Sequence, residues 1–305
     1  MRILFVTANR LGDAVLSTGL LGHLIRAYPA ARITIACGPV AAGVFARMPN
    51  LERVIVIVKQ PFGRHWPALW RQTVMRWWDL VVDIRGSALS WLVPARRRAI
   101  MRGGPGHKIE QLARVLRFDP PPMPVVWFSA TDAARAASLI PPGRPVIVLA
   151  PTANWLPKIW PAERFVALFH RLAIPDAIPA VLAGPGETEA AMARPVRDAL
   201  PGALDLAGRL SLPEIAAFLS RAALFVGNDS GLMHLAAAAG APTLGLFGPT
   251  NAAEYGPRGA TAESLAGTEK TMDSLSVEAV AEAAHRLMRA RLMRARLMRA
   301  RLMRA

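Results

Sequence analysis

Short apolar runs alternate along the chain with longer segments in which apolar residues recur every three or four positions. The run Ile3 to Thr7 leads into a polar turn, Asn9-Arg10-Leu11-Gly12-Asp13, and then into a helical pattern lasting to about Tyr28, before Pro29. A strand covered on both faces loses its alternation and a helix keeps its period, so this is a strand, loop and helix unit. Further strands are predicted at Arg32 to Cys37, Arg53 to Val58 and Leu80 to Ile84. Four prolines between Phe118 and Pro124, then Pro141-Pro142-Gly143, mark a change of composition, and a domain boundary is expected at about 142. The same order then restarts, with strands at Val146 to Ala150, Ala180 to Ala183, Ala223 to Val226 and Thr243 to Phe247, and helices at Pro161 to Leu172 and Leu232 to Ala239. The predicted fold is α/β, with two doubly wound parallel sheets, Rossmann-like, over residues 1–142 and 143–285. Ligands of open parallel sheets bind beyond the carboxyl ends of the strands. Two such domains facing each other would therefore set loops 8–13, 151–160, 184–189, 227–234 and 248–251 across one central cleft.

Composition leaves that picture intact. The chain has 305 residues, 53% apolar and 19% charged, which is room for two domains with full cores and is neither disordered nor collagenous. Cys37 is the single cysteine, which excludes an internal disulfide and a cysteine-cluster metal site and fits a reducing compartment. The first residues lack a signal-peptide core, so export is not expected. The uncharged stretch Gly231 to Thr250 is broken by Gly240, Pro242, Gly245, Gly248 and Pro249, so no transmembrane helix is expected either.

Charge changes the picture more. The net +16 divides into +12 over residues 1–140, −4 over 141–285 and +8 over 286–305. Opposed blocks imply that the first half meets something anionic, such as a phosphorylated lipid, a carboxylated sugar or nucleic acid. A compositional bias toward arginine would give the same excess. Residues 286–305 are four copies of Arg-Leu-Met-Arg-Ala. A five-residue period turns by about 140° per copy on a helix, so the leucines wind around it and make no stripe. The repeat is expected to be a tail of little function, with the folded protein ending near His285, although its arginines also suit an anionic membrane surface.

Candidate chemistry gathers at the strand ends. Asp13 follows Gly12 at the start of a helix, where it is either an ordinary N-cap or a carboxylate that a substrate can approach. The loop Gly227-Asn228-Asp229-Ser230-Gly231 opens a helix whose first amides make an anion site, with the Ser230 hydroxyl beside it and His234 one turn in. The structural alternative makes Asp229 the cap and His234 a core residue. Lys158, in a chain whose cations are mostly arginine, sits between Trp155 and Trp160 and suits a phosphate as a point charge. No Asp-x-Asp pair and no histidine ligand spacing occurs, and no metal and no cofactor is expected; no Gly-x-Ser-x-Gly elbow occurs either, which argues against an acyl hydrolase. The available chemistry is a carboxylate and fixed positive charge. Trp66, Trp70, Trp77 and Trp78 read as a core or a membrane-facing helix.

Three segments together resemble glycosyltransferase family 9, the ADP-heptose:lipopolysaccharide heptosyltransferases. They are Asn9 to Thr18, Lys158-Ile159-Trp160-Pro161, and Asp229 to Ala238 with Phe247-Gly248-Pro249-Thr250. The resemblance implies the two-domain GT-B fold and an inverting, metal-independent transfer of heptose from ADP-L-glycero-D-manno-heptose to the inner core of lipopolysaccharide. It implies that Asp13 is the general base, and that Lys158, Asp229, Ser230 and Gly231 hold the donor diphosphate. His234 and Thr250 match further donor positions, and Glu187, or Glu189, would meet the ribose hydroxyls. The acceptor, with its phosphates and carboxylates, would meet the +12 half through Gly12, Asp83 and Arg85, ahead of the triplet Arg96-Arg97-Arg98. Departures are Gly19, where family members often have Pro, and Ile159, where they often have His.

The partners then expected are ADP-heptose, the inner-core acceptor and, peripherally, the anionic inner face of the plasma membrane from the cytoplasm. Two alternatives stay open. One is a GT-B enzyme using another nucleotide sugar; the other is a non-catalytic protein binding anions or nucleic acid. No nucleic-acid module is recognisable, so no nucleic-acid partner is expected.

Overall fold

The computed structural model describes the backbone of residues 1–302 and the side chains of residues 1–294. The chain divides into two compact units, Met1–Ser129 and a second that begins at Ala130.

The first unit runs β1 (Arg2–Val6), α1 (Leu11–Ala27), β2 (Arg32–Cys37), α2 (Pro39–Ala42), β3 (Leu51–Val56), α3 (His65–Thr73), β4 (Trp78–Asp83), α4 (Leu89–Leu92), β5 (Ala95–Ile100) and α5 (Lys108–Leu116). Its five strands lie in the order β3-β2-β1-β4-β5, and each pairing is parallel. Ile3 to Val6 are fully buried, as their unbroken apolar run requires. On one face α1 buries Ala14, Val15, Leu16, Leu20, Leu21 and Leu24. On Gly19 a Cβ would lie 2.3 Å from the Pro122 carbonyl oxygen, so only glycine fits where the proline-rich segment crosses α1. That close crossing accounts for the departure at Gly19. A separate core, with Leu4, Val6, Ile55, Leu69, Trp78 and Leu89, joins the sheet to α3 and α4.

The second unit runs α6 (Ala130–Ser138), β6 (Val146–Ala150), α7 (Ala162–Leu172), β7 (Ile178–Val181), α8 (Glu187–Asp198), β8 (Leu204–Asp205), α9 (Leu212–Leu219), β9 (Leu224–Asn228), α10 (Gly231–Ala238), β10 (Thr243–Phe247), α11 (Ala252–Tyr255), β11 (Ala262–Ala266) and α12 (Val277–Leu302). The order is β11-β10-β9-β6-β7-β8, again wholly parallel. Both units are doubly wound, as predicted. In each, the order reverses beside the first strand, between β1 and β4 and between β6 and β9, and such a reversal leaves a crevice at the carboxyl edge.

Two expectations change. The division falls ahead of residue 142, because α6 packs against α9 and so belongs with the second unit. The folded body does not end near His285: α12 continues through the first repeat copy, and Leu287 is 2% exposed within the second core. The side chains of residues 295–305 lie outside the described residues. Among the described residues, no helix is long and apolar enough to cross a membrane.

Candidate active site

In the first unit the reversal crevice is bridged by side chains. Arg85, exposed beyond β4, donates to Asn9 Oδ1 at 3.0 Å, and its guanidinium lies 5.1 Å from the centroid of the Trp66 ring. Gly38 makes room for this arrangement, since a Cβ there would lie 2.6 Å from the Asn9 Cα. Gly12 and Asp13 stand in the first turn of α1, both half-buried. The N-cap of α1 is Arg10, so Asp13 is the third helical residue and does not cap it.

Asp83 is placed otherwise than expected. It is fully buried, and its carboxylate accepts from Arg85 N at 2.8 Å, Ser87 N at 2.9 Å, Ser87 Oγ at 2.5 Å and Ser90 Oγ at 2.5 Å. All of that capacity goes to its own loop, which leaves Asp83 shaping the turn that displays Arg85 and facing no ligand. The triplet divides in the same way. All three are exposed, but Arg98 donates to the carbonyls of Ser90, Val93 and Ala95 and ties α4 to β5.

In the second unit the crevice between β6 and β9 brings together residues 71 apart in sequence. Lys158 Nζ lies 2.6 Å from Asp229 Oδ2, with the two side chains 18% and 9% exposed. The lysine loop is fastened by Trp160, whose backbone N–H donates to Asn228 Oδ1 at 3.1 Å and whose indole donates to the Leu275 carbonyl at 3.0 Å. Ser230 is the N-cap of α10 by backbone geometry, but its side chain caps no amide. The cap is therefore not Asp229, which is engaged with Lys158. Ser230 Oγ and Thr250 Oγ1 are both buried without a hydrogen-bond partner, and so is Asn228 Nδ2. Buried hydroxyls cost free energy unless something pairs with them; Ser230 stands at the amide end of α10 next to Asp229, and Thr250 follows the neighbouring strand β10, so both lie where strand-end loops can take an anionic ligand. Gly231 begins α10, and His234 is buried one turn further in.

The two candidate glutamates separate. Glu189 Oε2 accepts from Gly184 N at 2.6 Å and Thr152 Oγ1 at 3.2 Å, closing the loop after β7 onto the loop after β6. Glu187, the first residue of α8, is exposed. Among the described residues no group of three or more His, Cys, Asp or Glu side chains clusters as metal ligands would.

Asn9, Trp66, Thr152 and Asn228 were not singled out as site residues by sequence. Asn9 and Asn228 lie inside loops that the strand pattern marked. Trp66 gives no signal, because it arrives from a different crossover.

The chain is 29% identical over 290 residues to lipopolysaccharide heptosyltransferase 1 of Pseudomonas aeruginosa, covering 82% of this chain and 79% of that protein. It is 25% identical over 296 residues to lipooligosaccharide heptosyltransferase 2 of Haemophilus influenzae, covering 82% and 84%. Its fold matches a family 9 glycosyltransferase from Veillonella parvula with a TM-score of 0.81 at 22% identity, covering 94% of this chain and 97% of that one. It also matches the Escherichia coli heptosyltransferase WaaC solved with ADP, with a TM-score of 0.74 at 20% identity, covering 94% and 100%. The two doubly wound units are thus those of the GT-B heptosyltransferases. The model of glycosyltransferase family 9 (heptosyltransferase) matches residues 107–285, more than half of the sequence, and the chain belongs to that family of glycosyltransferases.

Proposed function

We propose that the protein transfers heptose from ADP-L-glycero-D-manno-heptose to the inner core of lipopolysaccharide, with inversion and without a metal ion. The observation that carries this reading is the group formed by Lys158, Asp229, the amide end of α10 and the unpartnered hydroxyls of Ser230 and Thr250. A diphosphate satisfies every member of it. The hydroxyls and amides donate to phosphate oxygens, and Lys158, held by Asp229, offsets the charge that grows on departing ADP. Glu187 is then the acid left exposed for the ribose, and His234 backs the same helix turn.

In the first unit Asp83 is saturated by its own loop, and this reading assigns the general base to Asp13, half-buried in the first turn of α1. Asp13 takes the proton from an acceptor hydroxyl; the oxygen bonds to the anomeric carbon as its bond to ADP breaks, and a single displacement inverts the centre. Gly12 lets the acceptor approach the backbone, and Arg85 meets its phosphate or carboxylate groups. The units divide the work, acceptor to the first and donor to the second. The enzyme acts at the cytoplasmic face of the membrane that holds its acceptor.

Two variants test the reading in one assay. Asp13→Asn is expected to lower transfer by roughly 10²–10⁴-fold while leaving the Kd for ADP-heptose unchanged. Lys158→Ala is expected to weaken that Kd by about 10- to 100-fold, the worth of a charge-assisted hydrogen bond. Calorimetric titration in a chelator gives the Kd, and full transfer by Asp13→Asn would overturn the assignment.

A further inference from the structure

One surface of the first unit adjoins the proposed acceptor side at Trp66 and extends beyond it. The layer formed by α3 and α4 is thin, and Trp70 Nε1 donates across it to the Leu92 carbonyl at 3.0 Å. Beside the exposed Arg71 and Gln72, its outer side carries large apolar residues that a surface helix ordinarily buries. Leu92 is 63% exposed and Trp91 65%. On the segments that lead into and out of α3, Phe62 is 97% exposed, Met75 89% and Trp77 59%. A groove of about 500 Å³ lined by Trp66, Pro67, Trp70, Leu89 and Leu92 runs between the two helices. Phe62 also stands at φ 54°, in the left-handed region, with a side chain that buries nothing in the protein. A bulky residue in that conformation with no packing to hold it there points to a use outside the fold.

The charge of the same stretch is one-sided. Between Arg53 and Lys108 there are eleven lysines and arginines and two acids, Asp79 and Asp83. Asp83 is fully buried, and Asp79 accepts from the backbone N–H of Arg2 at 2.7 Å. Arg64, Arg71, Arg96 and Arg97 are exposed around the apolar residues. Exposed aromatic and aliphatic side chains ringed by cations are complementary to one partner, a bilayer with anionic headgroups: rings and thioether enter the hydrocarbon boundary and guanidinium groups meet the phosphates. A nucleic acid would meet the cations and stack on the rings, but it leaves Met75 and Leu92 without a role. A second copy would bring a like charge.

We infer that the outer side of α3 and α4, with the flanking Phe62, Met75 and Trp77, is an interfacial anchor that inserts into an anionic phospholipid bilayer. The inference specifies the membrane contact left general in the transfer reading, and its test uses no sugar, so the two fail separately. The full chain is sedimented with vesicles of phosphatidylcholine alone or with roughly a third phosphatidylglycerol, because single-lipid mixtures isolate the headgroup charge. Binding is expected only to the anionic vesicles. The triple variant Phe62→Ser, Trp91→Ser, Leu92→Ser is expected to lose at least tenfold in vesicle affinity with circular dichroism unchanged. Unchanged affinity would overturn the inference and leave the arginine repeat as the contact. Brominated lipids supply a second reading: quenching of tryptophan fluorescence should largely vanish in Trp77→Phe, Trp91→Phe, and persistent quenching would place the inserted rings elsewhere. Tighter binding to a single-stranded oligonucleotide than to the vesicles, lost in the triple variant, would reassign the face to nucleic acid.

Discussion

Asp83 and Glu189 do the same work in the two units. Each is a carboxylate near a strand end, each turns inward, and each closes a loop whose neighbour faces the crevice, Arg85 in one case and the lysine loop in the other. In sequence an acid after an apolar run looks the same whether it turns inward or outward, which is why Asp83 read as an acceptor contact. Removing it tests the difference. Asp83→Ala leaves two backbone amides and two hydroxyls without their acceptor, and is expected to cost about 3 kcal/mol or more in denaturant unfolding. A surface contact residue would cost nearly nothing. Cys37 allows a pH test. Burial pushes its thiol up from 9.0 to about 12. The unfolded chain therefore ionises first, and the thiol's contribution to stability is intact below pH 9 and declines from there toward pH 12. Cys37→Ala should flatten part of that alkaline decline in unfolding free energy, and native Cys37 should resist thiol reagents at pH 8.

At the scale of elements, continuous apolar strands announced themselves and charged or minimal ones did not. Arg32–Cys37, Val146–Ala150 and Thr243–Phe247 match their expected bounds. Strand β5 reads Ala-Arg-Arg-Arg-Ala-Ile, and only its place at the sheet edge makes arginines compatible with strand pairing, where they also block pairing with another chain. Strand β8 has two residues, too few for any period. Helix α12 shows the opposite case, a segment correctly read as a poor amphipath that is nonetheless anchored. The five-residue period sends Leu287 into the core and turns Leu292 out, 2% and 62% exposed. Arg286 reaches Glu263 at 3.6 Å, and Arg291 donates to the Ala222 carbonyl. Leu287→Ala should therefore cost about 2–5 kcal/mol in chemical denaturation, and Leu292→Ala, at the same place in the repeat, within about 0.5 kcal/mol.

For the whole molecule, the first unit carries most of the cationic excess, and the second, apart from its arginine repeat, is mildly acidic and holds the buried hydroxyls of Ser230 and Thr250 that have no partner. If the donor binds as proposed, ADP should slow amide exchange around β9, α10 and the Lys158 turn and leave the amides of β1 to β5 unchanged. At a hundredfold excess over its Kd, bound ligand adds about 2.7 kcal/mol to the openings it suppresses. Protection spread evenly over both units would count against a donor site in the second alone. By itself the sequence determined the class of fold, most strand positions and the loops that carry chemistry, because burial on both faces writes an unbroken apolar run and sheet topology sends ligands to the strand ends. It also supplied the family, through ordered motifs no one of which is specific. What only the tertiary structure decided is which side chains those loops turn toward one another. The contact of Lys158 with Asp229, the saturation of Asp83 and the burial of Leu287 depend on strand order, on which carboxylate an amide reaches first and on the angle at which a helix meets its sheet, and none of these is a local property of the chain.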